Sequence, residues 1–278
     1  MLNVLCGQKI AIVTDKPQTT RTRINGIFTD GDTQLVFTDT PGLHTPKTKL
    51  GEHMVKSVRE SVTGGDVTVL VVESMNKNRS EPFRDDLVIL DIIDQSRDVF
   101  LVINKIDITK DKTNIARTID MFSKRFNFDA IIPLSAKTGD GVDILVRELK
   151  NCAEPGPFFF PEGTSTDQPH KAFTAELIRE KIMRVMSQEI PHGIAVEIEK
   201  FTERASGLLD ISALIYCEKD NHKGMIIGKG GENLKSIAAA ARADIEIFFK
   251  SKVNLQCWIK VKEDWRNREG FIQNFGLK

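Results

Sequence analysis

Val99-Phe-Leu-Val-Ile103-Asn104-Lys105-Ile106-Asp107 opens on an apolar run and ends in a polar tetrapeptide. A nearly continuous apolar run fits a strand buried on both faces, as in a parallel sheet covered by helices. Val67-Thr-Val-Leu-Val-Val72 has the same character. Outward from these, strand-like runs at 24–29, 34–39, 67–73, 99–104 and 130–134 alternate with helical patterns near 47–63, 82–95, 111–126 and 141–152. Such alternation predicts an α/β domain with a mostly parallel sheet. Pro155-Gly-Pro157, Phe158-Phe-Phe-Pro161 and the polar stretch 162–169 break the pattern, and a domain boundary is expected there. The order then becomes helix (171–189), strand (194–201), strand (208–217), Gly-rich turn, helix (232–249), strand (253–262) and a short helix. This order predicts an α+β module containing a β-hairpin.

The 278 residues suit two domains, and 40% apolar content supplies two cores. Lys+Arg and Asp+Glu both number 39, so any nucleic-acid surface must be a local patch. Cys6, Cys152, Cys217 and Cys257 lie far apart with no Cys-x-x-Cys spacing, against a zinc site or disulfide framework and in keeping with a reducing cytosol. No apolar run has transmembrane length and the N-terminus is too short for a signal segment, so a soluble, cytoplasmic protein is expected.

The motifs point to chemistry. Asp39-Thr40-Pro41-Gly42-Leu43 follows Leu35-Val-Phe-Thr38, placing an Asp at a strand's carboxyl end, where parallel α/β sheets bind ligands. An Asp there can organise Mg²⁺ and the glycine amide can meet a γ-phosphate, although the same residues also make a capped turn. In Asn104-Lys105-Ile106-Asp107 the Asp107 carboxylate can accept from guanine N1–H and the exocyclic amine together, a pairing adenine cannot supply. Lys105 would lie along the base and Asn104 would tie neighbouring loops. Ser135-Ala136, after Ile131-Ile-Pro-Leu134, suits a third, weaker element in which a backbone N–H meets guanine O6. Thr19 and Thr20, within Gln18-Thr-Thr-Arg21, precede the first strand, and Thr20 is the better candidate oxygen ligand for Mg²⁺.

Ile226-Ile227-Gly228-Lys229-Gly230-Gly231 precedes the helical run that contains Lys235. Small residues let an RNA backbone approach, and a Gly-x-x-Gly loop beside a helix N-terminus is the KH signature for clamping about four nucleotides. Alone it is also a tight turn; in this element order it reads as KH. Two features read as structural: Arg179, Lys181 and Arg184, interleaved with Glu176, Glu180 and Glu189, predict a solvated helix face. Trp258 and Trp265 are expected in or beside a core.

With Gly7-Gln-Lys-Ile10, Arg179-Glu-Lys-Ile-Met183, Val196-Glu-Ile-Glu199 and Trp258-Ile-Lys-Val-Lys262 added to these motifs, the chain resembles the bacterial Era family of ribosome-associated GTPases. The likeness runs over nearly its whole length. It implies a Ras-like P-loop GTPase domain over 1–155, a linker over 156–170 and a type II KH domain over 171–278. It implies hydrolysis of GTP to GDP with Mg²⁺ and binding of 16S rRNA near its 3′ end. A role in maturing the 30S subunit, a monomeric state and weak peripheral contact with the inner face of the membrane are also implied.

The sequence departs from the family pattern in lacking Gly-x-x-x-x-Gly-Lys-Ser/Thr, so the first strand and phosphate loop are absent from it. A truncated chain is expected rather than a natural loopless protein, and as written it is expected to bind GTP weakly or not at all. Leu43 stands where small Ras-type GTPases carry a water-orienting Gln, which implies slow hydrolysis with water held by other means. His44, next to it, is not read as a general base. The leading expectation is a GTP-hydrolysing assembly factor whose nucleotide state biases KH access to rRNA. The alternative is a nucleotide-independent RNA-binding protein built on a GTPase remnant.

Overall fold

The computed structural model describes residues 1–43, 45–74, 84–186 and 190–277, the side chains of residues 84 and 85 excepted. His44, the end of the helix expected to reach 189 and the start of that expected at 82 fall outside the described residues. In chain order the elements are α1 (Leu2–Leu5), β1 (Ile24–Asp30), β2 (Thr33–Asp39), α2 (Lys49–Val62), β3 (Val67–Glu73), α3 (Arg84–Leu90), β4 (Asp98–Asn104), α4 (Thr113–Ser123), β5 (Ala130–Pro133) and α5 (Val142–Asn151). They continue with α6 (His170–Val185), β6 (Ala195–Glu203), β7 (Leu209–Cys217), α7 (Asp220–Ile227), α8 (Glu232–Phe249), β8 (Val253–Val261) and α9 (Glu269–Asn274). The chain divides into two compact units. One comprises Met1–Gln8, Asn25–Asp39 and Lys56–Thr166, and the other Lys9–Ile24, Thr40–Val55 and Asp167–Lys278.

In the first unit β3, β4 and β5 form a parallel sheet in that order, with Ile103 paired to both Val72 and Pro133. Leu101, Val102 and Ile103 of β4 are fully buried, as their sequence predicts, each stabilising the fold by about 1.5–3 kcal/mol. Their alternate side chains enter two cores, one with Phe122 and Phe126 and the other with Leu134, Leu145 and Leu149. β3 differs from its sequence reading, because Val71 is 41% exposed. Among the described residues β2 bonds only to β1 and β3 only to β4, so each has one open edge, and Leu35, Phe37, Val67 and Val69 border one core.

In the second unit β7 lies between β6, its antiparallel hairpin partner, and β8, which runs parallel to it. Helices α6 and α8 cover one face of this sheet, with Ile178, Ile182, Ala213, Ile215, Ile237 and Ile245 at the centre. On the opposite face Tyr216, Trp265 and Ile272 pack with Leu50 and Met54 from the start of α2. Helix α7 stands where the sequence showed only a Gly-rich turn; Asn221 and Gly224 are weak helix formers, and tertiary packing of Ile226 overrides them.

Arg179, Glu180 and Lys181 of α6 are buried rather than on the solvated face expected for them, whereas Arg184 is exposed as expected and Glu189 falls outside the described residues. Arg179 is 1% and Glu180 0% exposed, because the segment Lys9–Ile24 packs over them. Glu180 accepts from Lys9 Nζ at 2.8 Å, Lys181 Nζ at 3.0 Å and the Val13 N–H at 2.9 Å, and Arg184 lies 3.0 Å from it. Asp244 on α8 closes the cluster by pairing with both lysines. Arg21 is buried too, donating to the carbonyls of Ile194 (2.6 Å), His192 (2.9 Å) and Pro191 (3.2 Å). Burial, then the nearby Arg179, lowers its pKa to about 9, so it is still charged at neutral pH.

Burial pushes the Glu180 carboxyl up, but the hydrogen bonds from Lys9, Val13 and Lys181 outweigh it and the net shift is downward from 4.5. A carboxylate whose folded pKa is lowered stabilises the fold fully above its unfolded pKa and loses that contribution as pH falls through the folded value. The urea midpoint of the second unit, followed by Trp fluorescence, should therefore fall below about pH 4.5. Glu180→Gln should cost roughly 1–3 kcal/mol at pH 7, because Lys181 is buried and keeps only Asp244 as its carboxylate partner, while Lys9 is partly exposed. It should also flatten part of the acid dependence; an unchanged midpoint and pH profile would show the cluster to be inert.

Candidate nucleotide and RNA sites

Asn104 ends β4 and Pro133 ends β5, so two loops leave from the carboxyl edge of the parallel sheet. Lys105 adopts left-handed backbone with φ 65° and turns the first loop. Asn104 Oδ1 then accepts from the Lys105 N–H at 2.8 Å and from the Ala136 N–H at 3.0 Å. Ser135, fully buried, donates through Oγ to Asp107 Oδ1 at 2.8 Å, and the Ile106 N–H donates to the Leu134 carbonyl at 3.3 Å. The two loops are locked together while the Asp107 carboxylate stays exposed. An ionised carboxylate is acceptor-only with spare lone pairs on both oxygens, which matches two adjacent N–H donors on one base edge.

The structure thus brings Asn104, Lys105, Ile106, Asp107, Ser135 and Ala136 together. It also qualifies two expected roles. The Ala136 amide is engaged with Asn104, so a contact to a base oxygen would share that proton. Lys105 Nζ is paired with Glu73, whose strand position is the register partner of Asn104, and no local motif announces that partner.

Asp39 ends β2; beyond it Pro41 is buried, Gly42 is exposed with open space where a Cβ would sit, and Leu43 is half-buried. Thr40 to Leu43, with Thr19 and Thr20, belong to the second unit. There Thr19 Oγ1 donates to the Lys16 carbonyl at 2.7 Å, and Arg179 donates to the Thr19 carbonyl. Thr20 and Asp39 offer hydroxyl and carboxylate oxygens, the donor type a small hard cation takes alongside water and phosphate. Among the described residues no cluster of three or more His, Cys, Asp or Glu side chains makes a self-sufficient metal site. Burial pushes the Cys6, Cys152 and Cys257 thiols up to about 11, so none is a poised nucleophile.

In the second unit α7 ends at Ile227 and Gly228 turns the chain with φ 73°. A Cβ on Gly228 would lie 2.7 Å from Asn233 Cγ, and Asn233 Nδ2 in turn donates to the Met225 carbonyl at 2.9 Å, so this glycine is required twice over. Gly230 and Gly231 also have positive φ, yet open space surrounds both. Lys229 and Lys235 are exposed on either side of the α8 N-terminus. Beside them runs a shallow groove of about 210 Å³ lined by Lys235, Ala238, Ala239, Arg242 and Leu255. Small side chains on its wall and two cations at its rim suit a nucleic-acid strand; Arg242 and Leu255 were not identified from sequence, having no motif of their own.

Comparison with known proteins agrees with both halves. A family model described as a KH domain matches residues 189–266, and one described as a 50S ribosome-binding GTPase matches residues 1–105. The GTPase Era of Clostridioides difficile strain 630 is 46% identical over 277 residues, covering 99% of this chain and 92% of the relative. That of Ruminiclostridium cellulolyticum is 46% identical over 278 residues, covering 100% and 92%. Among solved structures, Era in complex with MgGDPNP and nucleotides 1506-1542 of 16S ribosomal RNA matches with TM-score 0.93 at 34% identity, over 99% of this chain and 93% of that one. A point variant of Aquifex aeolicus Era bound to GDP.AlF4- matches with TM-score 0.92 at 33% identity, over 99% and 93%.

The fold is therefore a Ras-like GTPase domain followed by a KH domain. The chain belongs to the Era GTPase family.

If Asp107 reads the base, Asp107→Asn should exchange guanine for xanthine, whose exocyclic oxygen needs an N–H donor. In the chain extended by a relative's phosphate-loop segment, the GTP-to-XTP affinity ratio should fall by about 10–100-fold. Nucleotide competition measures this; unchanged GTP affinity with no gain for XTP would remove Asp107 from the role.

Proposed function

We propose that this protein is a GTP-binding and GTP-hydrolysing factor that binds 16S rRNA near its 3′ end and assists assembly of the 30S subunit. The observation that carries the nucleotide half is the locked pair of loops that presents Asp107 to a base edge. The solved relative that holds both MgGDPNP and a 16S rRNA segment supports joining the two halves in one activity. A nucleotide-independent RNA-binding role is not favoured, since relatives along the whole chain are GTPases.

In this reading the GTPase domain spans 1–155, the linker 156–170 and the KH domain 171–278. Asn104, Lys105, Ile106, Asp107, Ser135 and Ala136 hold the base, while Thr19, Thr20 and Asp39 to Leu43 face the phosphate end. Thr20 and Asp39 would hold Mg²⁺, which when bound neutralises phosphate charge as the γ-phosphoryl group is lost. Asp39 would supply a carboxylate oxygen at the end of β2, and the Gly42 amide can approach a phosphate oxygen unhindered by a Cβ. Leu43 cannot orient the attacking water, so that task falls to other groups and turnover is slow. The open edges of β2 and β3 support a further strand between them, carrying the phosphate loop. Thr19 and Thr20 lie in the same compact unit as the KH fold, which supports coupling between nucleotide state and RNA access.

The KH half binds RNA through Ile227 to Gly231 and Lys235, with phosphates at the glycine amides and Lys229. No helix of the described residues is long and apolar enough to cross a membrane. A monomer that works in the cytoplasm, with weak peripheral membrane contact, completes the reading.

Lys229→Asp with Gly230→Asp sets two carboxylates in the phosphate approach, where the wild-type loop has open space. The double variant should lose at least about tenfold in affinity for single-stranded RNA ending in the 16S 3′ sequence, with a modest fall in melting temperature because Gly230 has φ 60° and an Asp there is strained. Wild-type binding should weaken as salt rises. Equal binding by both proteins would reduce the glycine loop to a turn.

A further inference from the structure

Strand β8 is an edge strand with two different faces. Toward the helices, Leu255, Cys257, Ile259 and Val261 pack on the core, and Leu255 also lines the groove beside the glycine loop. Toward solvent it presents Asn254, Gln256, Trp258 and Lys260, all exposed. Trp258 is 60% exposed, against the expectation that it would pack in or beside a core, whereas Trp265 is fully buried. The reason is geometric. α9 and Phe275 cover Tyr216 and the adjoining part of the sheet, and that cover does not extend over Trp258. The indole is thus the one large apolar group on an otherwise polar and cationic strand face.

The charge around it selects the kind of partner. From Lys250 to Lys262 the chain carries Lys250, Lys252, Lys260 and Lys262 and no acidic residue, in a protein of zero net charge. The carboxylates of this sheet lie elsewhere. Glu197, in the same cross-strand row as Leu214 and Trp258, is on the far strand and accepts from the Tyr216 hydroxyl at 2.9 Å. Asp210 is held by Arg204 at 2.6 Å and by Asn254 at 2.9 Å, and these bonds pull its pKa down to about 2. A polyanion with flat, stackable groups fits this surface; an acidic peptide lacks the flat groups and a lipid surface needs a broader cationic face. Leu255 and Trp258 are three positions apart, roughly 10 Å of strand rise on opposite faces, so a chain joining the groove to the indole has to pass round the β8 edge and needs more than one nucleotide to do so.

We propose that the solvent face of β8 is a second RNA contact, on which a base of the strand leaving the glycine-loop clamp passes over the sheet edge and stacks on Trp258, with Lys260 beside its phosphate. The proposal rests on the KH reading of the glycine loop. It adds to that reading a longer footprint, since the loop clamps only about four nucleotides.

The test uses the full 278-residue chain and two single-stranded RNAs, a tetranucleotide filling the clamp and a dodecanucleotide that extends it. Trp258→Ala should weaken the dodecamer by about 5–100-fold, the range of one aromatic–base stack, and leave the tetramer within about twofold. Trp258→Phe should keep most of the dodecamer affinity. Because the second tryptophan is buried, the dodecamer should quench wild-type fluorescence strongly and the Trp258→Phe variant hardly at all; the tetramer should quench neither. Should Trp258→Ala prove unstable, the quenching comparison with Trp258→Phe decides alone. Equal dodecamer affinity in wild type and Trp258→Ala, or no dodecamer-specific quenching, overturns the proposal while tetramer binding leaves the KH reading standing. Failure of both RNAs to bind overturns the KH reading and this proposal with it.

Discussion

The base-reading site proposed for this protein depends on the hydrogen bonds that tie the loop after β4 to the loop after β5. Asn104 reaches Ala136 and Ser135 reaches Asp107, and neither bond survives if the two strands shift against each other. The shift is prevented by burial. A one-residue slip turns every side chain of a strand to the opposite face, and β4 has fully buried residues committed to both faces. Packing of Leu101, Val102 and Ile103 thereby fixes the position of a carboxylate several residues away. Ser135 completes the arrangement by donating its buried hydroxyl to Asp107, so that the carboxylate is held before any ligand arrives.

The second unit uses a different constraint. Its α6 is charged along its buried length, and Lys9, Glu180, Lys181, Arg184 and Asp244 satisfy one another there. Buried ion pairs bring little net stability over apolar packing, but losing one member is costly. Such a cluster therefore specifies one seating of the segment Lys9–Ile24, the segment that contains Thr19 and Thr20. Arg21 does the same with backbone carbonyls rather than carboxylates. These groups act beside the apolar anchors Ile10, Ile12 and Ile24, which are buried at the two ends of the same segment.

Much of this was legible in the residues. The apolar run into Asn104-Lys-Ile-Asp107, the strand ending at Asp39 and the Gly-rich loop before α8 lie where their local sequence placed them, because each rests on patterning or on turn geometry within a few residues. What was not legible depends on long-range partners. The charges of α6 alternate in sign and look solvated; only residues some 170 positions away, which no local pattern announces, bury them. α7 was hidden by Asn221 and Gly224, whose weak propensity yields to the burial of Ile226. Trp258 was hidden for the opposite reason, since an indole in an alternating strand reads as core unless the reach of the covering helix is known.

In the proposed function the loops after β4 and β5 select guanine, and a phosphate-binding strand supplies the remaining grip on the nucleotide. Calorimetry with GTP, GDP and ATP on the 278-residue chain, and on the same chain extended with the phosphate-loop segment of a relative, tests it most directly. Micromolar or tighter binding of GTP and GDP, but not ATP, is expected for the extended chain, and weak or no binding for the shorter one. Equal affinity for ATP and GTP in the extended chain, or micromolar GTP binding by the shorter chain, would contradict this reading.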